Sequence, residues 1–199
     1  MDELDEKAAY KVRSAAGTLQ YIAQDQLAIK QATAEVMQGM AKRLEMHQLR
    51  LARVSRYLAK YPGETWHYAY QDNPSVLDEI CDSDWAGDPI TRKSTSCIIE
   101  RFGMHMLDAT VNKQKAMALS SGEAEFYPTV KAGAQSIQSQ GMLKTFGMGE
   151  LTIRIHSDRS AARGIVQRQG PGKLRHLDIK DLWIQEFIRK KKAEIVRIL

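Results

Sequence analysis

Apolar positions between residues 7 and 60 recur at helical spacing, and Gly17 and Gly39 are almost the only interruptions. Three helices fit. The first presents Tyr10, Ala15, Leu19 and Ile22, the second Ile29, Ala32, Val36 and Met40, and the third Leu51, Val54 and Leu58 before Pro62-Gly63 stops it. From Trp66 the period shortens to strand-like runs: Trp66 to Tyr70, Val76 to Cys81, Ser96 to Arg101 and Met104 to Val111. Asp72-Asn73-Pro74, Gly87-Asp88-Pro89 and Gly103 mark the reversals of an antiparallel meander.

A long helix is predicted from Glu123 to Phe146, with Ser121 as its N-cap. Pro128 removes one backbone donor inside it, so the expectation is a kink there or a later start. Thr152 to His156 has the pattern of a buried strand, and Ser160 to Gln167 that of a short helix. After the Gly170-Pro171-Gly172 break come a helix from Asp178 to Lys191 and a last strand from Ala193 to Leu199. Strands, helix, strand, helix, helix, strand is the order of an α/β chain, here a five-stranded mixed sheet with packed helices, preceded by a helical region.

At 199 residues and 43% hydrophobic content the chain can bury a core. Its 29 basic against 24 acidic residues, a net +5, permit a polyanionic partner without demanding one. Cys81 and Cys97 lie in apolar runs with no His or Cys at ligand spacing, so they are expected to be reduced core residues. Met1 is followed by Asp2, Glu3, Asp5 and Glu6 rather than an apolar leader, and no run is long enough to span a bilayer. A soluble intracellular protein, of cytoplasm or nucleus, is expected.

The chemistry concentrates where elements end. Asp82-Ser83-Asp84-Trp85-Ala86-Gly87-Asp88 follows the second strand-like run, Glu125 falls in the first turns of the long helix, and Asp158 follows the strand Thr152 to His156. Carboxylates on separate rigid mounts suit a hard divalent cation, which takes oxygen ligands. Basic residues that can track phosphates are His47, Arg50, Arg53, Arg56 and Lys60 along the third helix, and Arg92 and Lys93 beyond Asp82. The run Arg189 to Lys192 fits any helix C-terminus equally well.

Four motifs in order carry a family resemblance: Cys81-Asp-Ser-Asp-Trp-Ala-Gly-Asp88, Arg92-Lys-Ser-Thr-Ser96, Ala118-Leu-Ser-Ser-Gly-Glu-Ala-Glu125 and His176-Leu-Asp-Ile179. Together they resemble the ribonuclease H domain of copia-type retrotransposon polyproteins. Upstream, Arg13 to Ala23 and Arg56-Tyr-Leu58 are similar to the segment joining reverse transcriptase to that domain, which divides the chain into residues 1–64 and 65–199. The resemblance implies a ribonuclease H-like fold and an endonuclease that cuts the RNA strand of an RNA/DNA hybrid. Two Mg2+ ions, or Mn2+ in their place, would activate a water and stabilise the departing oxygen.

By the same resemblance Asp82 matches the first catalytic aspartate, bridging both ions, while Glu125 and Asp158 match the helix glutamate and the next aspartate. The family's C-terminal helix, with a further aspartate, lies beyond Leu199, which makes Asp178 the candidate fourth ligand, or else the cap of the last helix. The resemblance leaves one sheet face for the N-terminal helices to cover, within one chain or by exchange in a homodimer. Substrate contacts fall on Arg92, Lys93, Ser94 and His176, the last being a structural residue in the alternative. Asp84 and Asp88 read as hairpin residues and Trp85 as packing beneath it. The rival function is a domesticated remnant that binds hybrid or structured nucleic acid without cutting it.

Overall fold

A computed structural model describes residues 4–40, 45–172 and 176–198. It divides into two compact units, residues 1–67 and 68–199. The first holds α1 (Glu6–Ile22), α2 (Lys30–Met37) and α3 (Glu45–Lys60). Asp5 caps α1 by accepting from the Ala8 amide at 2.6 Å. Ala16, Leu19, Ile29, Val36 and Val54 form the core between the three helices. The expected inward face of α1 holds at Leu19, which is buried, and Ile22, which packs against the core, but Ala9, Val12 and Ala16 are buried ahead of them, whereas Tyr10 is 67% exposed. A tyrosine tolerates the outside because its ring is amphipathic, so its apolar character misplaced the stripe.

The predicted basic stripe of α3 also separates. His47 is buried beside Gly39, where an added Cβ would lie 2.1 Å from the imidazole, so only glycine lets the ring in. Burial, then Arg50, pushes its pKa down. Arg50 pairs with Glu35 at 3.5 Å. Arg56 donates to its own helix at Ala52 O.

The second unit carries the expected five-stranded mixed sheet with packed helices. Its strands are β1 (Val76–Ser83), β2 (Thr95–Phe102), β3 (His105–Lys113), β4 (Thr152–His156) and β5 (Ala193–Val196), in the order β3-β2-β1-β4-β5. β1, β2 and β3 pair antiparallel, and β4 joins β1 and β5 in parallel. β1 is therefore the strand at which the sense of the sheet changes. Gly103, at φ +60, supplies the left-handed residue of the two-residue turn between Phe102 and His105.

The run Trp66 to Tyr70 is not a strand. It is held by side chains instead: the Tyr68 hydroxyl donates to Met106 O, Gln71 Nε2 donates to Phe102 O, and Gln71 Oε1 accepts from the Met104 amide. Aromatic residues gave that run a strand-like composition without ladder partners.

α4 (Ser121–Thr145) crosses the sheet, with Phe126, Ala132, Ile153, Ile155 and Cys81 in one core that α5 (Ser160–Gln167) and α6 (Trp183–Arg189) complete. Its cap is Ser120 rather than Ser121: the Ser120 hydroxyl accepts from the Glu123 amide at 3.2 Å. The helix neither starts late nor breaks at Pro128. An interior proline costs a helix about 3 kcal/mol or more, because it removes a hydrogen bond and crowds the carbonyl four residues back.

The predicted helix from Asp178 to Lys191 begins as a 3-10 turn, Ile179–Leu182, and becomes α6 only at Trp183. It stops at Arg189 because Lys191 takes φ +54, and the Lys192 amide then bonds Phe187 O at 3.1 Å. Cys81 and Cys97 are unbridged thiols, and burial pushes Cys81 up to about 12. Among the described residues no helix is long and apolar enough to cross a membrane.

One acid is buried away from the strand ends. Glu79 is fully buried beneath α4, opposite Glu100, and both its oxygens lack a hydrogen-bond partner. Burial first, then Glu100 and Asp108, raises its pKa to about 10. The unfolded chain loses that proton near 4.5, so stability is whole below that pH and declines as pH rises toward 10. Denaturant melts should show Glu79→Gln losing less stability than the parent between about pH 5 and pH 8, by on the order of 3 kcal/mol. Parallel pH profiles would mean that Glu79 does not carry a retained proton.

Candidate metal centre

The parallel register of β1 and β4 sets two of the three acids at one level. Ile80 pairs with His156, and Asp82 and Asp158 each follow two residues later, at the same end of adjacent strands. Both are exposed. Glu125 comes from the second turn of α4, which is fastened over β1 where Cys81 Sγ lies 3.6 Å from Thr129 Oγ1, one turn beyond Glu125. One carboxylate oxygen from each of Asp82, Glu125 and Asp158 lies within 4.8 Å of the others.

Glu125 is 1% exposed and its two oxygens have different surroundings. Oε1 accepts from the Ser83 amide at 3.0 Å and the Ser83 hydroxyl at 3.3 Å. Oε2 is buried with no partner among the described residues. Burial raises the Glu125 pKa to about 7; Ser83 opposes that rise, and the charges of Asp82 and Asp158 reinforce it. An all-oxygen set with one unsatisfied buried carboxylate oxygen has the donor chemistry of a hard cation site. The Asp158 carboxylate also has Arg159 Nε at 3.6 Å, and Arg163 donates to the carbonyls of Ser157 and Asp158.

Asp178 does not join this group. Its side chain accepts from the Lys180 amide and pairs with the Lys180 ammonium at 2.8 Å, which holds its pKa below the usual range. It is the cap of the two readings. Ser94, expected at the substrate, is wholly buried, with its hydroxyl accepting from the Ala86 amide at 3.0 Å. Arg92 and Lys93 are on the hairpin loop, Arg92 at φ +53. Asp84 accepts from the Thr95 amide, and Asp88 accepts from the Ile90 and Thr91 amides and pairs with Lys113, so both acids shape the loop.

Trp85 is not packed beneath the hairpin but stands 56% exposed. Its indole N–H donates to Ala118 O at 3.2 Å, which joins the loop after β1 to the loop before α4. Met117 and Leu119 flank that carbonyl and are also exposed. The three are exposed apolar side chains joined through that bond, Trp85 standing three residues beyond Asp82 in sequence. His176 Nε2 lies 2.9 Å from Glu123, a buried carboxylate that also accepts from the Leu119 amide and the Tyr127 hydroxyl. That bond fixes His176 to the start of α4.

Sequence reasoning missed Ser83, Glu123 and Gln114 as supports of the site. Only Gln114 left a signal, since Pro128 announces an unpaired carbonyl at Ala124 that something must satisfy.

No family model matches the chain. It is similar to the retrovirus-related Pol polyprotein from transposon TNT 1-94 of Nicotiana tabacum, 24% identical over 146 residues, 73% of this chain and 11% of that polyprotein. It is also similar to the Pol polyprotein from transposon RE1 of Arabidopsis thaliana, 35% identical over 114 residues, 57% of this chain and 8% of that one. The chain thus spans about a tenth of the length of these curated relatives. Among solved structures, RNase H1 from the archaeon Halobacterium salinarum aligns at TM-score 0.39 and 11% identity, over 61% of this chain and 84% of that one. An RNase H1 isolated from compost aligns at TM-score 0.40 and 12% identity, over 62% and 84%.

In metal-free protein, carbon-detected NMR should place the Glu125 carboxyl midpoint near 7, and added Mg2+ should lower it. The folded chain then holds a proton that the unfolded chain releases near 4.5, so this contribution to stability is lost as pH rises from there through 7. A midpoint at the ordinary 4.5 would mean that neither burial nor the neighbouring acids hold a proton on Glu125.

Proposed function

We propose that this relative of plant-transposon Pol polyproteins is a metal-dependent ribonuclease H, hydrolysing the RNA strand of RNA/DNA hybrids at Asp82, Glu125 and Asp158. The observation that carries the reading is the convergence of three carboxylates from three elements within 4.8 Å, one of them with a buried oxygen that no described residue satisfies. The donor set fits magnesium or manganese, which Asp82, Glu125 and Asp158 would hold as two ions. Such ions, when bound, supply a water of lowered pKa and charge neutralisation at the phosphodiester.

The remaining work belongs to the chain. Asp82 and Asp158 face solvent, where an incoming phosphodiester could reach the cations they would hold, while Ser83 fixes Glu125 by its Oε1. Arg92 and Lys93, on the adjoining loop, meet the phosphate backbone. The exposed side chains of Trp85, Met117 and Leu119 pack against sugars in the shallow minor groove, where 2'-hydroxyls distinguish RNA from DNA. His176, held by Glu123, lies on the substrate side as a positioned polar contact.

With labelled hybrid and Mg2+ or Mn2+, the native chain should cut the RNA strand, and Asp82→Asn should lose roughly a hundredfold or more in rate while still binding hybrid. Binding without cleavage by the native chain would instead support a remnant that retains only recognition. An Asp82→Asn variant as active as the parent would remove the acid site from the reaction.

A further inference from the structure

The start of α4, which carries Glu125, has a defect that the rest of the unit must answer. In a helix the carbonyl of residue 124 accepts from the amide of residue 128, and here residue 128 is proline. The pyrrolidine ring also crowds that carbonyl. Ala124 is buried, so water does not replace the lost donor.

The donor comes from Gln114, the residue after β3. Its Nε2 lies 2.7 Å from Ala124 O and 2.8 Å from Ser96 Oγ, so both amide hydrogens have acceptors. Its backbone amide bonds Ser94 O at 2.8 Å, which seats it against the start of β2. Because Ala124 O can only accept, the amide must present its nitrogen. Its own Oε1 is left buried without a partner among the described residues. A side chain retained at that cost is placed there for its donors.

Ala124 immediately precedes Glu125, and Ser96 is the register neighbour of Ser83, whose amide and hydroxyl hold Glu125 Oε1. One amide thus couples the position of the α4 backbone to the strand pair that holds the glutamate. We infer that Gln114 is a positioning residue for the acid site, stitching the proline-opened first turns of α4 to the β2–β3 edge so that Glu125 meets Asp82 and Asp158. This rests on those acids holding a divalent cation, and the test separates the two ideas by reading binding and folding without any nucleic acid.

The experiment is a double-mutant cycle of Gln114→Met and Pro128→Ala in the full chain, read by thermal unfolding and by titration with Mn2+ alone. Methionine keeps the bulk and removes the donors, and alanine restores the amide of residue 128. In the proline background Gln114→Met should lower the melting temperature and weaken Mn2+ binding roughly tenfold, as loss of a supporting hydrogen bond does at metal sites. In the Pro128→Ala background both losses should largely disappear. Should Gln114→Met fail to fold, recovery of folding on adding Pro128→Ala is the same expected result. Equal losses in both backgrounds, or failure to fold in both, would overturn the pairing of Gln114 with Pro128. Coupled melting temperatures with unchanged Mn2+ affinity would overturn the positioning role. No Mn2+ binding by the parent would overturn the cation reading itself, with the stability coupling still measurable.

Discussion

Three carboxylates held within 4.8 Å of one another repel, and the second unit must hold them against that repulsion. Two unit charges about 4 Å apart interact by about 4 kcal/mol at an effective dielectric near 20, a large fraction of the stability of an ordinary domain. The fold resists through covalent and packed mounts. The β1–β4 register fixes two acids at one level, and α4, pinned at Thr129, Ser83 and Gln114, lowers the third onto them. Burial, reinforced by the charges of Asp82 and Asp158, raises the Glu125 pKa to about 7, so relief comes from a proton there or from a cation.

The same sheet holds an instructive contrast. Glu79 and Glu100 are also neighbouring carboxyls on β1 and β2, yet they lie under the middle of α4, where Ser139 donates to Glu100 at 2.7 Å. Closed off from solvent, that pair is relieved by a proton, and Glu79 is pushed up to about 10. Asp82 and Asp158 are at the open ends of their strands, where an ion can reach them. Position along a strand, more than residue type, separates a buried acid from a candidate ligand.

Much of this was legible in the chain. β4 and α5 fall on their predicted limits because both have clean periods and sharp turn signals on either side. Asp82, Glu125 and Asp158 stood out because each follows a strand or opens a helix, and because the motifs around them came in the family's order. What was not legible depends on tertiary partners. Nothing local says that Ser94 is buried to hold Ala86, that Trp85 is tied to Ala118, or that Asp178 spends its carboxylate on Lys180. The aromatic run Trp66 to Tyr70 misled for the same reason: strand composition forms no strand without a neighbour to pair with. Pro128 is the intermediate case, a visible fault whose remedy, Gln114, only the structure discloses.

A cation turns the repulsion among these acids to advantage, and thermal melting of the parent and Asp158→Asn with and without Mg2+ reads that directly. Without metal at pH 8 the variant should melt above the parent, since one charge of the three is gone. With Mg2+ the parent should rise and overtake it, while the variant gains little. A variant that melts below the parent without metal, or gains as much from Mg2+, would contradict the account.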